Sequence, residues 1–277
     1  MKNIIVPVDF SKHSEYALKT AVKLAKLNNA KVIVLHMLEM SDALLTKTDV
    51  EQQQKAAYFL KLAEQRFESF LDKDYLKDTK IIPAVKPFKV FEEVNDVAKE
   101  NNADLIVMGS HGTSGFKEFF IGSNTEKMVR NANIPVLVVK NEMANSIFET
   151  VIFATDFDQE CIDAYQKATK LFDKFGANIK LLYINLPNEH FRSSVEIEKQ
   201  IAEFLLKADG NLNKINDVAY QADYSVEQGV LNYSNKIGAD LIAISTHGRK
   251  GVSHFFAGSI GEDIANHSSL PVITFKI

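Results

Sequence analysis

Short apolar runs alternate with amphipathic stretches along the whole chain. The first run, NIIVPVDF from Asn3, is rich in β-branched residues and lacks polar alternation, as expected of a strand buried on both faces. Ser11 then stands at an N-cap position, and Ala17, Leu18, Ala21, Leu24 and Ala25 recur at helical spacing. KVIVLHML from Lys31 predicts a second buried strand, followed by a long helix from about Val50 to Leu71. TKIIPAV from Thr79 predicts a third strand, which Pro83 assigns to a sheet edge. A helix over Val90 to Glu100, a strand DLIVMG from Asp104, a helix over Ser123 to Asn131 and a strand PVLVVK from Pro135 complete the series. Strands alternating with helices imply parallel β–α–β units with right-handed crossovers, hence an α/β doubly wound sheet. Such sheets bind ligands at the carboxyl ends of their strands where the strand order reverses, so the loops after the first and fourth strands are the places to look.

The series then repeats. VMGSHGTSGFKEFFIGSNTEK from Val107 and AISTHGRKGVSHFFAGSIGED from Ala243 correspond position by position. Asp104, His111, Gly112, Gly122, Ser123 and Pro135 recur 136 residues later, as Asp240, His247, Gly248, Gly258, Ser259 and Pro271. Nearer the start of each copy the offset is 147, as for Asp9 and Asp156 or Ala17 and Ala164; Ser11 is matched by Asp158, a plausible second N-cap. The difference between the offsets means that the second copy lacks 11 residues between its second and fourth strands. This is a tandem duplication, with domains expected over 1–141 and 148–277 and only the polar link NEMANSIF between them.

Composition narrows the function. A net charge of −4 offers no overall attraction to nucleic acid or anionic lipid. The apolar runs are strand-length, short of the roughly 18 residues needed to span a membrane, and the N-terminal run is too short for a secretory signal, so the chain reads as soluble and cytoplasmic. Cys161 is the only cysteine, which excludes an intrachain disulfide and a thiolate metal cage; the seven histidines show no HExxH spacing, so no metal site is assigned.

The chemistry gathers at the loop Gly109-Ser110-His111-Gly112, nine residues, then Gly122-Ser123. Glycines let backbone turn tightly or approach another group closely. Gly122 and Ser123 open a helix whose first N–H groups lack intrahelical partners, and an anion there gains those donors and the helix dipole. Ser123, Asn124 and Thr125 add side-chain donors. Taken alone, the same residues also fit ordinary turn and cap chemistry.

Gly-x2-Gly-x9-Gly-Ser after an apolar strand, together with IIVPVDFS, VIVLHML and NIPVLVV, resembles the universal stress protein family, over essentially the whole chain as two tandem domains. The resemblance implies flavodoxin-like or Rossmann-like domains, each a five-stranded parallel sheet of order 3-2-1-4-5 with helices on both faces. It implies binding of ATP, with or without Mg²⁺, or of another adenine nucleotide. Carried onto this chain, Pro7, Val8 and Asp9 would line the adenosine, Met37 the adenine, Met108, Gly109 and Gly112 the ribose and phosphates, and Gly122, Ser123, Asn124 and Thr125 the phosphate end. It further implies pairing of last strands, here PVLVVK with PVITFKI as an intrachain pseudo-dimer, and leaves a further homodimer open.

The second copy departs from the pattern. Asp156, Gly248, Gly258 and Ser259 remain, with Ile260 beside them, but Ser245 replaces Gly109, Ala154 replaces Pro7, and Tyr183 and Ile184 stand for His36 and Met37. If the first loop position needs a positive φ, serine there costs on the order of 1 kcal/mol. If it needs close backbone approach, the hydroxymethyl either obstructs a ligand or bonds to it. The expectation is a weaker second site. Asp9 and Asp156 are read as orienting a ligand hydroxyl or capping a loop, not as catalytic bases, and Cys161 as a small packing residue. No P-loop GxxxxGK[ST] and no GxGxxG after the first strand occurs, so no catalytic residue is assigned. A regulatory nucleotide-binding protein is the leading function; a nucleotide-free scaffold and a slow ATPase are the alternatives.

Overall fold

The structure, a computed structural model, describes residues 1–39, 49–88, 92–110, 122–143, 148–187, 191–246 and 260–277. It divides into two compact units: unit 1 comprises Met1–Phe116 and Val139–Ser146, unit 2 Lys117–Val138 and Ile147–Ile277.

Unit 1 contains β1 (Asn3–Val8), α1 (Lys12–Asn28), β2 (Lys31–Glu39), α2 (Asp49–Leu71), β3 (Lys80–Phe88), α3 (Glu92–Glu100) and β4 (Leu105–Gly109). The sheet runs β3-β2-β1-β4 and its pairings are parallel. Pro83 lies on the outer strand β3, opposite Val34, as a residue without an N–H requires. Ser11 caps α1, its hydroxyl accepting from the Ser14 N–H at 3.2 Å, and Asn29 ends the helix in the left-handed region at φ 50°. The apolar stripe of α1 is buried, with Ala17, Leu18 and Ala21 fully inaccessible. The start of the helix expected at Val90 lies outside the described residues.

Unit 2 contains α4 (Ser123–Asn131), β5 (Val136–Val139), β6 (Thr150–Ala154), α5 (Ile162–Asp173), β7 (Asn178–Asn185), α6 (Ser194–Asp209), β8 (Val218–Ala222), α7 (Val226–Ile237), β9 (Leu241–Thr246), α8 (Ile260–His267) and β10 (Val272–Lys276). Strands β8-β7-β6-β9-β10 are parallel and reproduce the order 3-2-1-4-5. β5 adds to β10 in the antiparallel sense, Val136 opposite Thr274 and Val138 opposite Val272, which makes the sheet mixed. Val139, the last residue of β5, belongs to unit 1, where its carbonyl accepts from the Ser110 N–H at 3.0 Å. Most of the 11-residue difference is in one helix: α2 has 23 residues and α6 has 16.

Two repeated features have a plain physical cause. Asp104 accepts from the backbone N–H groups of Lys2 and Asn3, and Asp240 from those of Glu149 and Thr150, so each pins the start of its repeat's first strand beside the fourth. Phe10 and Phe157 both adopt positive φ, 65° and 58°, which costs a residue bearing a Cβ about 1–2 kcal/mol. Aromatic packing holds them there. The Phe10 ring lies 5.1 Å from Phe67 and 5.4 Å from Phe70, and Phe157, 2% exposed, meets Phe204 edge-on at 5.3 Å.

Truncating Phe157 separates these two effects. Phe157→Ala is expected to lower the unfolding free energy in urea by about 3–5 kcal/mol through lost burial. Phe157→Gly loses the same side chain but relaxes the backbone, so it should unfold at the same or a higher urea concentration than the alanine variant, by about 1 kcal/mol.

Candidate functional site

In unit 1 the strand order reverses between β1 and β4, and in unit 2 between β6 and β9. At these two equivalent places the repeats differ. The β1–β4 ladder pairs Ile4 with Leu105 and Ile5 with Ile106, and then stops. The β6–β9 ladder continues for two more pairs, to Ala154 opposite Ile244. Pro7 holds the position of Ala154, and proline has no N–H to donate. β1 nevertheless keeps its register with β2 through Val8 opposite His36, so the interrupted side is the one facing β4. The carboxyl ends of β1 and β4 therefore share fewer ladder hydrogen bonds than those of β6 and β9.

Around the unit 1 reversal lie Pro7, Val8 and Asp9 from β1 and its loop, Met108 and Gly109 from β4, and Met37 on the neighbouring β2. Asp9 Oδ1 accepts from the Ser11 N–H at 3.0 Å, closing the turn into α1. Beneath it, His36 Nδ1 lies 2.8 Å from the Val8 carbonyl; a carbonyl can only accept, so this nitrogen carries the proton. The imidazole packs on Phe10 with centroids 4.5 Å apart. Pro7, Asp9, Met37 and Gly109 are half-buried, whereas Val8 and Met108 are buried. Gly122, Ser123, Asn124 and Thr125 open α4, which is counted with unit 2. Gly122 is the N-cap and makes no side-chain capping bond; Ser123 and Asn124 are exposed and Thr125 is buried. Gly112 lies outside the described residues, as does His111.

Gly109 has a role the loop pattern did not disclose. Its φ is not positive, and a Cβ added there would come within 2.6 Å of the His13 carbonyl carbon and 2.7 Å of its oxygen. The glycine is required by close approach, and what approaches is the first turn of α1.

In unit 2 the reversal is filled with side chains. Ser245 is fully buried, 3.6 Å from the Cys161 Sγ, and Cys161 lies 3.2 Å from Asp156 Oδ1, the thiol donating. Asp156, only 3% exposed, also accepts from the Asp158 N–H at 3.1 Å. Burial first, then the Asp156 charge, pushes the Cys161 thiol up to about 12, so it is a protonated donor near neutral pH. Cys161 is more than a packing residue, and it precedes α5, in a 3-10 turn over Gln159–Cys161. Asp158 precedes that turn without a side-chain cap bond, contrary to expectation; its carboxylate instead accepts from Gln200 at 3.0 Å. Burial, then Asp156, raises the Asp158 carboxyl above its ordinary range. Ile184 packs against α7, where a Cβ on Gly229 would fall 2.7 Å from it. Ile260 is the first residue of α8, and the neighbouring Gly261 approaches Thr246 at the end of β9. Gly248, Gly258 and Ser259 lie outside the described residues, as does His247. Among the described residues no group of three or more histidine, cysteine, aspartate or glutamate side chains could hold a metal ion, and no helix is long and apolar enough to cross a membrane.

Gly109→Ala tests the packing role. The added methyl must displace the backbone of α1, so the variant is expected to lose about 1–3 kcal/mol in thermal or urea unfolding, with no ligand present. Unchanged stability would return Gly109 to a purely ligand-facing role.

The comparisons with known proteins agree with this architecture. The chain is similar to a universal stress protein of Methanocaldococcus jannaschii, 31% identical over 157 residues that cover 51% of this chain and 96% of the relative. A second universal stress protein of the same organism is 31% identical over 149 residues, covering 50% of this chain and 82% of the relative. The crystal structure of a universal stress protein from Archaeoglobus fulgidus superposes with a TM-score of 0.61 at 22% identity, over 99% of this chain and 96% of that one, a likeness of fold. The model of the universal stress protein family matches twice, over residues 1–140 and 148–276, and the chain belongs to that family.

Proposed function

We propose that this chain binds an adenine nucleotide, ATP foremost, at the strand reversal of its first repeat, and that it acts as a cytoplasmic regulator in stress rather than as a catalyst. The observation that carries this reading is the short β1–β4 ladder. Two pairs there against four in the second repeat leave less of the strand-end backbone committed to pairing in unit 1 than in unit 2. A ligand at a strand reversal meets backbone at the two strand ends, and a shorter ladder leaves more of that backbone for it. Asp9 would orient a ribose hydroxyl, Pro7, Val8, Met37 and Met108 would supply apolar contact, and Gly109 and Gly112 would lie along the phosphates. Gly122, Ser123, Asn124 and Thr125, at the start of α4, are the candidate contacts for the phosphates, with or without Mg²⁺, because a helix N-terminus favours an anion.

On this reading the functional domains are 1–141 and 148–277, and the second is the weaker binder. Asp156, Ile184, Gly248, Gly258, Ser259 and Ile260 remain its candidate contacts. The buried Asp156–Cys161–Ser245 contacts support the asymmetry, because a ligand there would have to displace them. Pairing of β5 with β10 supports a pseudo-dimer joined through the last strands of the two repeats.

Mass spectrometry of ligand released from the purified chain is expected to give an adenine nucleotide. Titration calorimetry with ATP then tests the site. Pro7→Ala restores the missing N–H and should weaken binding about tenfold, near 1.4 kcal/mol, without lowering the melting temperature. Gly122→Val should weaken it at least as much by crowding the N-terminus of α4. Wild-type affinity in both variants would defeat the assignment to the first repeat, and absence of adenine nucleotide binding would defeat the function itself.

A further inference from the structure

Each repeat carries an open groove between the loop after its first strand and the long helix after its second. In unit 1 the groove has a volume of about 450 Å³ and is floored by Phe10 and Phe70. In unit 2 it has about 410 Å³ and is floored by Phe157 and Phe204. The fold thus builds the same recess twice, and the sequence gives the two copies different charge. The unit 1 groove carries Lys12, Arg66 and Lys73 against one acid, Glu15. The unit 2 groove carries Arg192 and Lys199 against Asp158, Glu196 and Glu203.

Lys12 is shared with its surroundings, its ammonium 5.6 Å over the Tyr16 ring and within the field of Glu142 and Glu15, but the other two cations are not neutralised locally. Glu15 already lies 3.6 Å from Lys19, outside the groove. Among the described residues no carboxylate pairs with Arg66 or Lys73; the Arg66 guanidinium stacks instead over the Phe10 ring, 5.9 Å from its centroid. That stacking holds the guanidinium beside the recess. Ser11 adds a hydroxyl that accepts from the Ser14 N–H, which leaves its own hydrogen to donate outward. Two cations without a carboxylate partner, a third shared with Tyr16, and a hydroxyl around an aromatic floor suit a compact dianion joined to a small organic body, and the volume lies within the range of small-molecule sites.

We propose that the groove between the β1–α1 loop and α2 is a second ligand site, which takes the phosphoryl group of a phosphorylated small molecule on Lys12, Arg66 and Lys73. It does not depend on the nucleotide reading, because its cations lie on α1, α2 and the segment after α2 and none belongs to the strand-end residues.

Inorganic pyrophosphate is the probe, titrated calorimetrically into the full chain at low and at moderate salt. Wild type should bind it, more weakly as salt rises. Arg66→Ala/Lys73→Ala should bind about tenfold or more weakly, with unchanged circular dichroism and unchanged ATP affinity. Lys199→Ala, in the other groove, and Gly122→Val should both bind pyrophosphate as wild type does. No binding by wild type, retained binding by the double variant, or loss of binding in Gly122→Val would each overturn the proposal. So would cosedimentation with phosphatidylglycerol vesicles that depends on Arg66 and Lys73 while pyrophosphate fails to bind, since the partner would then be a lipid surface.

Discussion

A parallel sheet whose first strand lies inside it must reverse its winding once, and at the reversal two adjacent strands send their loops to opposite faces. Everything distinctive in this chain is arranged around the two places where that happens. In unit 1 the adjoining ladder is cut short by the absent N–H of Pro7; in unit 2 Ala154 supplies the donor and the ladder runs on. One missing hydrogen-bond donor thus distinguishes the two strand reversals. The surrounding residues differ as well. Beside the shorter ladder, Asp9 and Gly109 are half-buried; beside the longer one, Asp156 and Ser245 are sealed among protein atoms.

The loop leaving each reversal is held by a second constraint. A carboxylate at the strand end accepts from the N–H two residues on, and the intervening phenylalanine is forced to positive φ. The strain is offset by aromatic contacts with the helix after the second strand, so the loop, that helix and the strand ends form one mechanical set. His36 joins the set in unit 1 by bonding the Val8 carbonyl.

The sequence made the larger architecture legible because it was written twice. Constant offsets identified the repeat, Ser11 marked the start of α1, and Pro83 marked an edge strand. The strand order of unit 2 matches what the family resemblance implied. Asp104 and Asp240 were visible as recurring letters, but their reason, two backbone N–H groups at the opposite end of the sheet from the loops, exists only in three dimensions. Gly109 looked like a residue freed for a ligand because glycine has one signature for several causes; the backbone of His13, far away in sequence, is the actual neighbour. Phe10 and Phe157 recur at the same offset of 147, but their positive φ was not legible, because no local propensity favours phenylalanine there and only tertiary aromatic packing does. Asp158 resembled a cap by its type and place, but the second repeat enters its helix through a 3-10 turn over Gln159–Cys161, and the Asp158 carboxylate found Gln200.

The Asp156–Cys161–Ser245 contacts also bear on how freely one repeat can be converted into the other. Restoring glycine at 245 alone would take a hydroxyl from a buried thiol and leave a void behind it. Removing the thiol alone would strip a buried carboxylate of one donor, a loss of about 1–3 kcal/mol. Each single step back gives up a buried contact. The two halves of this molecule began as copies, but the interior of the second now acts as a ratchet that keeps them different.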